Sequence, residues 1–318
     1  MRIIREVNQI AGAFHRPVVT IGNFDGVHSG HRSLLQLMRR EADRRKVYAV
    51  LVTFHPHPLA VLAPERCPPL LQTLEQKLEL FADARLDGVV VYPFSHEMSL
   101  LTAEEFIRDL LFRDLDMSAV VIGAQFSFGH DRRGNTQLLH EMGAALGFDV
   151  IPAMETEAGG EVVSSTRIRH LLMTGEVATA NRLLGHRYAV DGRVEGGSKI
   201  GRQIGFPTAN VQSPIQLLLP NGVYAASLQT GGKRWDGAAN LGVRPSIETG
   251  KSLSCRQRVL EIHLFDCAED LYGHSVRVYF EEMIRPEYSF PTLAELITQI
   301  RKDVDACRSV FQCRSSGG

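Results

Sequence analysis

His28 and His31 stand three residues apart with Gly30 between them, directly after the apolar run Pro17–Ile21 and at the opening of a helical pattern. A strand that hands over to a helix through a glycine turn leaves unpaired N–H groups at the helix start, and the helix dipole favours an anion there. Residues three apart in a first helical turn share a face. Two imidazoles on that face can donate hydrogen bonds to phosphate oxygens whose charge grows during displacement. Gly22 and Asn23 open the same string, Gly22-Asn-Phe-Asp-Gly-Val-His-Ser-Gly-His31, and Gly30 leaves room for a triphosphate. Single histidines at such turns are often incidental. The His-x-Gly-His spacing directly after a strand favours a nucleotide site.

A second constellation lies about 170 residues on. Gly196-Gly197-Ser-Lys199-Ile-Gly201-Arg202 is rich in glycine and basic, so backbone N–H groups can converge on an anion while Lys199 and Arg202 add charge. Thr208 and Asn210 follow Pro207 and offer hard oxygen donors for Mg²⁺ or its waters. No Gly-x4-Gly-Lys-Ser/Thr string is present. Leu260–Phe265 alternates as a strand, with Glu261, His263 and Phe265 on one face. A carboxylate held on a strand can serve as general base if it reaches a hydroxyl. A glycine-rich hairpin and a solvent-facing glutamate would carry the same residues. A third string, Ser164-Ser165-Thr166-Arg-Ile-Arg169, places hydroxyls and guanidinium groups at a helix start, as caps or as an anion site.

The surrounding pattern must position these groups. Strand-like runs at 17–21, 47–54, 88–92, 119–123 and 148–151 alternate with helical patterns at 32–46, 74–84, 103–113 and 136–146. That rhythm predicts a mainly parallel sheet covered by helices. Helices ending at Gly175 and Gly185 follow. Beyond them come strands near 188–194, 222–228, 234–241, 259–265 and 275–280, separated by Gly/Pro/Asn turns, which predict an antiparallel barrel or sandwich. Thr292-Leu-Ala-Glu295 caps a closing helix. We therefore divide the chain into residues 1–185, 186–310 and a short mobile tail at 311–318.

Bulk properties narrow the partners. The 318 residues carry 35 basic and 36 acidic side chains, so no positive excess attracts nucleic acid. Five cysteines without a Cys-x-x-Cys argue against a disulfide framework or structural zinc. No apolar stretch has membrane-spanning length, so no membrane partner is expected. A cytoplasmic setting is the simplest.

Thr20–His31 resembles the nucleotide motif of the bacterial bifunctional riboflavin kinase/FAD synthetases, within the His-x-Gly-His nucleotidyltransferase superfamily. Thr53-Phe-His-Pro-His-Pro58, Val121–Gly129 and Ser164–Arg169 resemble that family's other first-domain motifs. Gly201–Asn210, Pro220–Tyr224, Asn240–Pro245, Glu261–Asp266 and Asp270–Gly273 follow its kinase motifs in order. The resemblance implies a Rossmann-like nucleotidyltransferase domain and a riboflavin-kinase β-barrel with a closing helix. It implies that His28, His31 and Glu261 are catalytic. Gly22, Asn23, Gly30, Ser164, Ser165, Thr166, Arg169, Lys199, Gly201, Arg202, Thr208 and Asn210 would bind ATP or its phosphates. Thr208 and Asn210 would hold Mg²⁺, and His57, Gln125, Phe128 and Arg244 would contact the flavin. The implied chemistry converts riboflavin to FMN and FMN to FAD, with ATP as co-substrate in both steps.

Gln125 stands where the family usually has Asn or Asp, and Ala60 where an acid is frequent. Those departures keep open a riboflavin kinase with an impaired or redirected first domain. A non-catalytic flavin or nucleotide sensor is the other open reading.

Overall fold

The computed structural model describes residues 1–124, 126–196, 201, 204–243 and 258–315. Gln125, Lys199, Arg202 and Arg244 lie outside the described residues. The described contacts divide the chain after Ser164 into two units.

The first unit opens with β1 (Arg2–Ile4) and β2 (Val18–Ile21), followed by α1 (Ser29–Arg45) and β3 (Ala49–His55). Next come α2 (Pro58–Leu62), α3 (Leu74–Asp83), β4 (Gly88–Pro93), α4 (His96–Ser99) and α5 (Ala103–Glu105). A π-helix (Phe106–Asp114), β5 (Ala119–Gly123), α6 (Thr136–Leu146), β6 (Asp149–Ala153) and the hairpin β7 (Glu157–Ala158) and β8 (Glu161–Val162) complete it. The order β1-β4-β3-β2-β5-β6 is parallel throughout.

The central strands are buried on both faces, which is why they read as unbroken apolar runs. Alternate residues feed two cores. Val19, Ile21, Val50, Val52, Val120 and Ile122 pack with the π-helix and α6. Val18, Ala49, Leu51, Ala119 and Val121 pack with Leu35 and Met38 of α1 and Leu78 and Phe81 of α3. The expected helix at 103–113 is α-helical only at Ala103–Glu105. It then widens into the π-helix, with Leu115 N donating to Leu110 O at 3.1 Å. Phe106, Ile107, Leu110 and Leu111 are all buried there, and their spacing of four suits the wider turn.

Gly88 begins β4 against the ring of Phe14, which a Cβ at position 88 would overlap. Gly88→Ala is expected to cost about 1–3 kcal/mol of first-unit stability through overpacking. Thermal unfolding of the full chain checks it.

The second unit begins with α7 (Ser165–Met173) and α8 (Val177–Leu184). A closed antiparallel barrel follows: β9 (Ala189–Glu195), β10 (Ala209–Gln212), β11 (Gly222–Thr230), β12 (Lys233–Val243), β13 (Arg258–Leu264) and β14 (Ser275–Pro286). Strand order around the barrel is β10-β13-β12-β11-β14-β9, closed by β9 pairing with β10. The boundary expected from the sequence lies at 185–186, whereas the contacts group α7 and α8 with the barrel. Asn181 donates to Phe280 O at 2.9 Å and accepts from Tyr188 N at 2.7 Å.

The closing helix α9 (Leu293–Ser315) packs Val304, Cys307, Val310 and Phe311 against the barrel's Ala225 and Phe265. Residues 311–315 therefore belong to a helix rather than to a mobile tail. Asp303 on α9 accepts three bonds from Arg285 Nε and Nη2, the shortest at 2.7 Å.

Candidate active sites

In the first unit the sheet order reverses at β2, whose neighbours are β3 on one side and β5 on the other. Ligands of open α/β sheets bind beyond the carboxyl ends of strands at such a switch point. His28 and His31 follow β2, and the loop carrying Phe128 follows β5.

His28 is the N-cap of α1, and its Nδ1 accepts from His31 N at 3.3 Å. That bond places the proton of neutral His28 on Nε2. The His28 and His31 rings stack at 3.7 Å with 18° between planes. Burial, then His28, then Lys77 push the His31 imidazole well below its ordinary pKa, so it is neutral at pH 7. His31 Nδ1 is buried with no hydrogen-bond partner among the described residues. An orphaned buried ring nitrogen is costly and fits a group that awaits a ligand. The glycine at position 30 has a more specific role than open space: a Cβ there would lie 3.2 Å from the His28 ring.

Asn23 Nδ2 lies 3.4 Å from His57 Nε2, which brings the β2 and β3 loops together. His57 also caps α2, with Nδ1 accepting from Leu59 N at 3.2 Å. The Asn23 carbonyl accepts from Thr53 Oγ1 at 3.3 Å and Lys77 Nζ at 3.1 Å. Gly22 is the half-buried residue directly after β2. Phe128 is a core residue, packed on Phe106 at 5.4 Å and stacked on half-buried Phe126 at 5.2 Å.

Sequence reasoning missed Thr53, Asp25 and Lys77. The signal for Lys77 was its place between Leu74 and Phe81 on the buried face of α3. Ser164 precedes α7, while Ser165, Thr166 and Arg169 lie on it. Ser164, Ser165 and Arg169 are half-buried and Thr166 is exposed.

In the second unit, Asn210 on β10 pairs directly with Glu261 on β13, which pairs in turn with Asn240 on β12. Opposed residues in adjacent strands project to one face, so an amide and a carboxylate share a rung. Asn210 is buried and Glu261 half-buried. A cleft of about 430 Å³ is lined by Thr208, Asn210, Ile262, Leu264, Asp270 and Tyr272 among others. Glu261 is not among its lining residues. Phe206 N donates to Gly201 O at 2.7 Å, which tightens the approach to Thr208. His263 Nδ1 lies 2.8 Å from Pro207 O.

Residues 11–167 match the family model described as FAD synthetase, and residues 184–311 the one described as riboflavin kinase. A bifunctional riboflavin kinase/FMN adenylyltransferase of Escherichia coli K12 is 40% identical over 98% of both chains. The chain belongs to the bifunctional riboflavin kinase/FMN adenylyltransferase family. The family's Pseudomonas fluorescens member is 36% identical, again over 98% of each chain.

A crystal structure described as a macrolide-efflux protein from Streptococcus pneumoniae matches with a TM-score of 0.85 at 26% identity. The match covers 96% of this chain and 98% of that one. It shows that the two chains share a fold. Among the described residues no helix is long and apolar enough to cross a membrane.

Proposed function

We propose that the chain makes FMN from riboflavin and then FAD from FMN, one step in each unit. The observation that carries the reading is that each unit assembles its own motif. The His28–His31 stack sits at the switch point of one, and the Asn210–Glu261 rung lies in the barrel of the other.

In the barrel, the 5′-hydroxyl of riboflavin attacks the γ-phosphorus of ATP. A new O–P bond forms, the bond from the γ-phosphorus to the bridging oxygen breaks, and ADP leaves. Glu261 accepts the hydroxyl proton. Thr208 and Asn210 are the residues that would hold Mg²⁺: two neutral oxygen donors suit an ion whose other positions are filled by phosphates and water. The ion would neutralise charge between the β- and γ-phosphates. Gly201, with Lys199 and Arg202, covers those phosphates, and Arg244 contacts the flavin.

In the first unit, a phosphate oxygen of FMN attacks the α-phosphorus of ATP and pyrophosphate leaves. The nucleophile is already an anion, so no base is required. His28 and His31 donate hydrogen bonds to the phosphates, and the neutral His31 gains affinity for a proton as negative charge arrives. Gly22, Asn23 and Gly30 shape the phosphate loop. Ser164, Ser165, Thr166 and Arg169, the string at the start of α7, are assigned to ATP phosphate by their resemblance to the family's motif. His57 takes the flavin phosphate, while Gln125 and Phe128 belong to the flavin loop, Phe128 by backing it from the core. The unpaired thiols of Cys67, Cys267, Cys307 and Cys313 suit a cytoplasmic enzyme.

The test is chromatography of the purified chain with riboflavin, Mg²⁺ and ATP. FMN and FAD together are expected. FMN alone would reduce the reading to a kinase, and neither product would leave a binding protein.

A further inference from the structure

Lys77 is a buried cation that the two reactions leave unused. Only 8% of its surface is exposed. It stands on α3 between Leu74 and Phe81, both buried, on a helical face that otherwise supplies core. A lysine in that position loses solvation and must be compensated by bonded partners. Its Nζ donates to the carbonyl of Asn23 at 3.1 Å, and Thr53 Oγ1 from β3 donates to the same oxygen at 3.3 Å. Two donors from two different elements thus converge on one backbone atom at the mouth of the β2 loop.

The loop they grip is strained. Phe24 has φ 49° and Val27 φ 37°. Both are non-glycine residues in the left-handed region, and the β-branched valine is the costlier of the two. Such a backbone persists only where its surroundings over-determine it. Asp25 supplies a second anchor, since its carboxylate accepts from Leu71 N at 3.1 Å. Val27 directly precedes His28, so any relaxation of the loop moves the cap of α1 and the stacked rings with it.

We propose that Lys77 is a positioning residue for adenylyl transfer: with Thr53 it clamps the Asn23 carbonyl and so holds the strained loop that presents His28 and His31 to phosphate. The proposal rests on the adenylyltransferase reading of the first unit. Electrostatics agree with the geometry. His31 faces His28 from its own turn and Lys77 from α3, and both lower its pKa. Lys77 is itself pushed down by burial, with Asp25 opposing. His55, at the end of β3, feels Lys77 and Arg5 as lowering charges and Glu75 as a raising one, after burial as the largest cause. Lys77 therefore supplies a positive field to the histidines as well as a bond to the loop.

The test uses full-length Lys77→Met, which keeps the volume and loses the donor and the charge. FAD formation from FMN is expected to fall about 100-fold, the scale of a small misplacement of reacting groups. Riboflavin phosphorylation by the same preparation is expected to be unchanged. The His31 ring, followed by NMR, is expected to titrate at higher pH than in the parent. Lys77→Arg retains charge and donors and is expected to recover part of the rate. Because Thr53 shares the acceptor, Thr53→Val and Lys77→Met are expected to combine non-additively. A Lys77→Met rate indistinguishable from the parent's, or an unmoved His31 titration, overturns the proposal. So does joint loss of both activities, which assigns Lys77 to folding alone. If the parent makes no FAD, the adenylyltransferase reading fails instead, and the His31 titration, which needs no turnover, decides the clamp by itself.

Discussion

His31→Ala is expected to lower FAD formation by roughly 10³-fold while FMN formation by the same preparation continues, the scale of losing a preorganised donor to a developing charge. The histidine is poised for that role. Its ring stacks on His28, its Nδ1 has no described partner, and its environment keeps it neutral before a phosphate arrives. Alanine removes the donor and half of the stack. The backbone N–H of residue 31 remains to bond His28 Nδ1, so the α1 cap survives. The measurement is the rate of FMN adenylylation with FMN supplied directly, beside riboflavin phosphorylation as an internal control of folding. Equal loss of the two activities would refute separate sites.

The second large effect is expected at the other end of the chain. Glu261→Gln should reduce FMN formation by about 10²–10⁴-fold, the range of a positioned general base. Adenylylation of supplied FMN should persist. Glutamine keeps the shape and the place on β13 opposite Asn210, and removes only the capacity to accept a proton. Retained kinase activity in this variant would dismiss Glu261 as the base and return it to the half-exposed surface glutamate that its pattern also allows. Because Thr208 and Asn210, the proposed phosphate-side donors, are untouched, ATP affinity should change little.

Much of the scaffold is legible because burial writes a strong pattern. The central parallel strands are covered on both faces and appear as unbroken apolar runs, and Thr102-Ala-Glu-Glu105 forms a capping box at the start of the helix expected there. The exceptions share a cause. β1 has three residues at a sheet edge, and β10 has four immediately after Pro207 and Thr208, so neither is long enough to show a period. Nothing local reveals that Asn181, on the second of the two helices before the barrel, bonds to Phe280, 99 residues away.

The proposed catalytic motifs are visible as strings, but their joining is not. Asn23 meets His57 only because β2 and β3 are neighbours, and Asn210 meets Glu261 only through strand pairing. Lys77 was hidden in a helix whose other buried residues are chiefly apolar, where a single charge looks like noise until the carbonyl it grips is known.

The short strand β10 has two duties. It pairs with β9 to close the barrel, and it carries Asn210 onto the rung with Glu261. The spacing between proposed metal donor and proposed base is therefore set by the interval between hydrogen-bonded strands, about 4.8 Å, rather than by the closing of a loop. Substrate need not organise this pair. The pairing of β10 with β13 creates it, so the kinase unit holds its proposed proton acceptor and its proposed phosphate-side oxygen together as part of its own architecture.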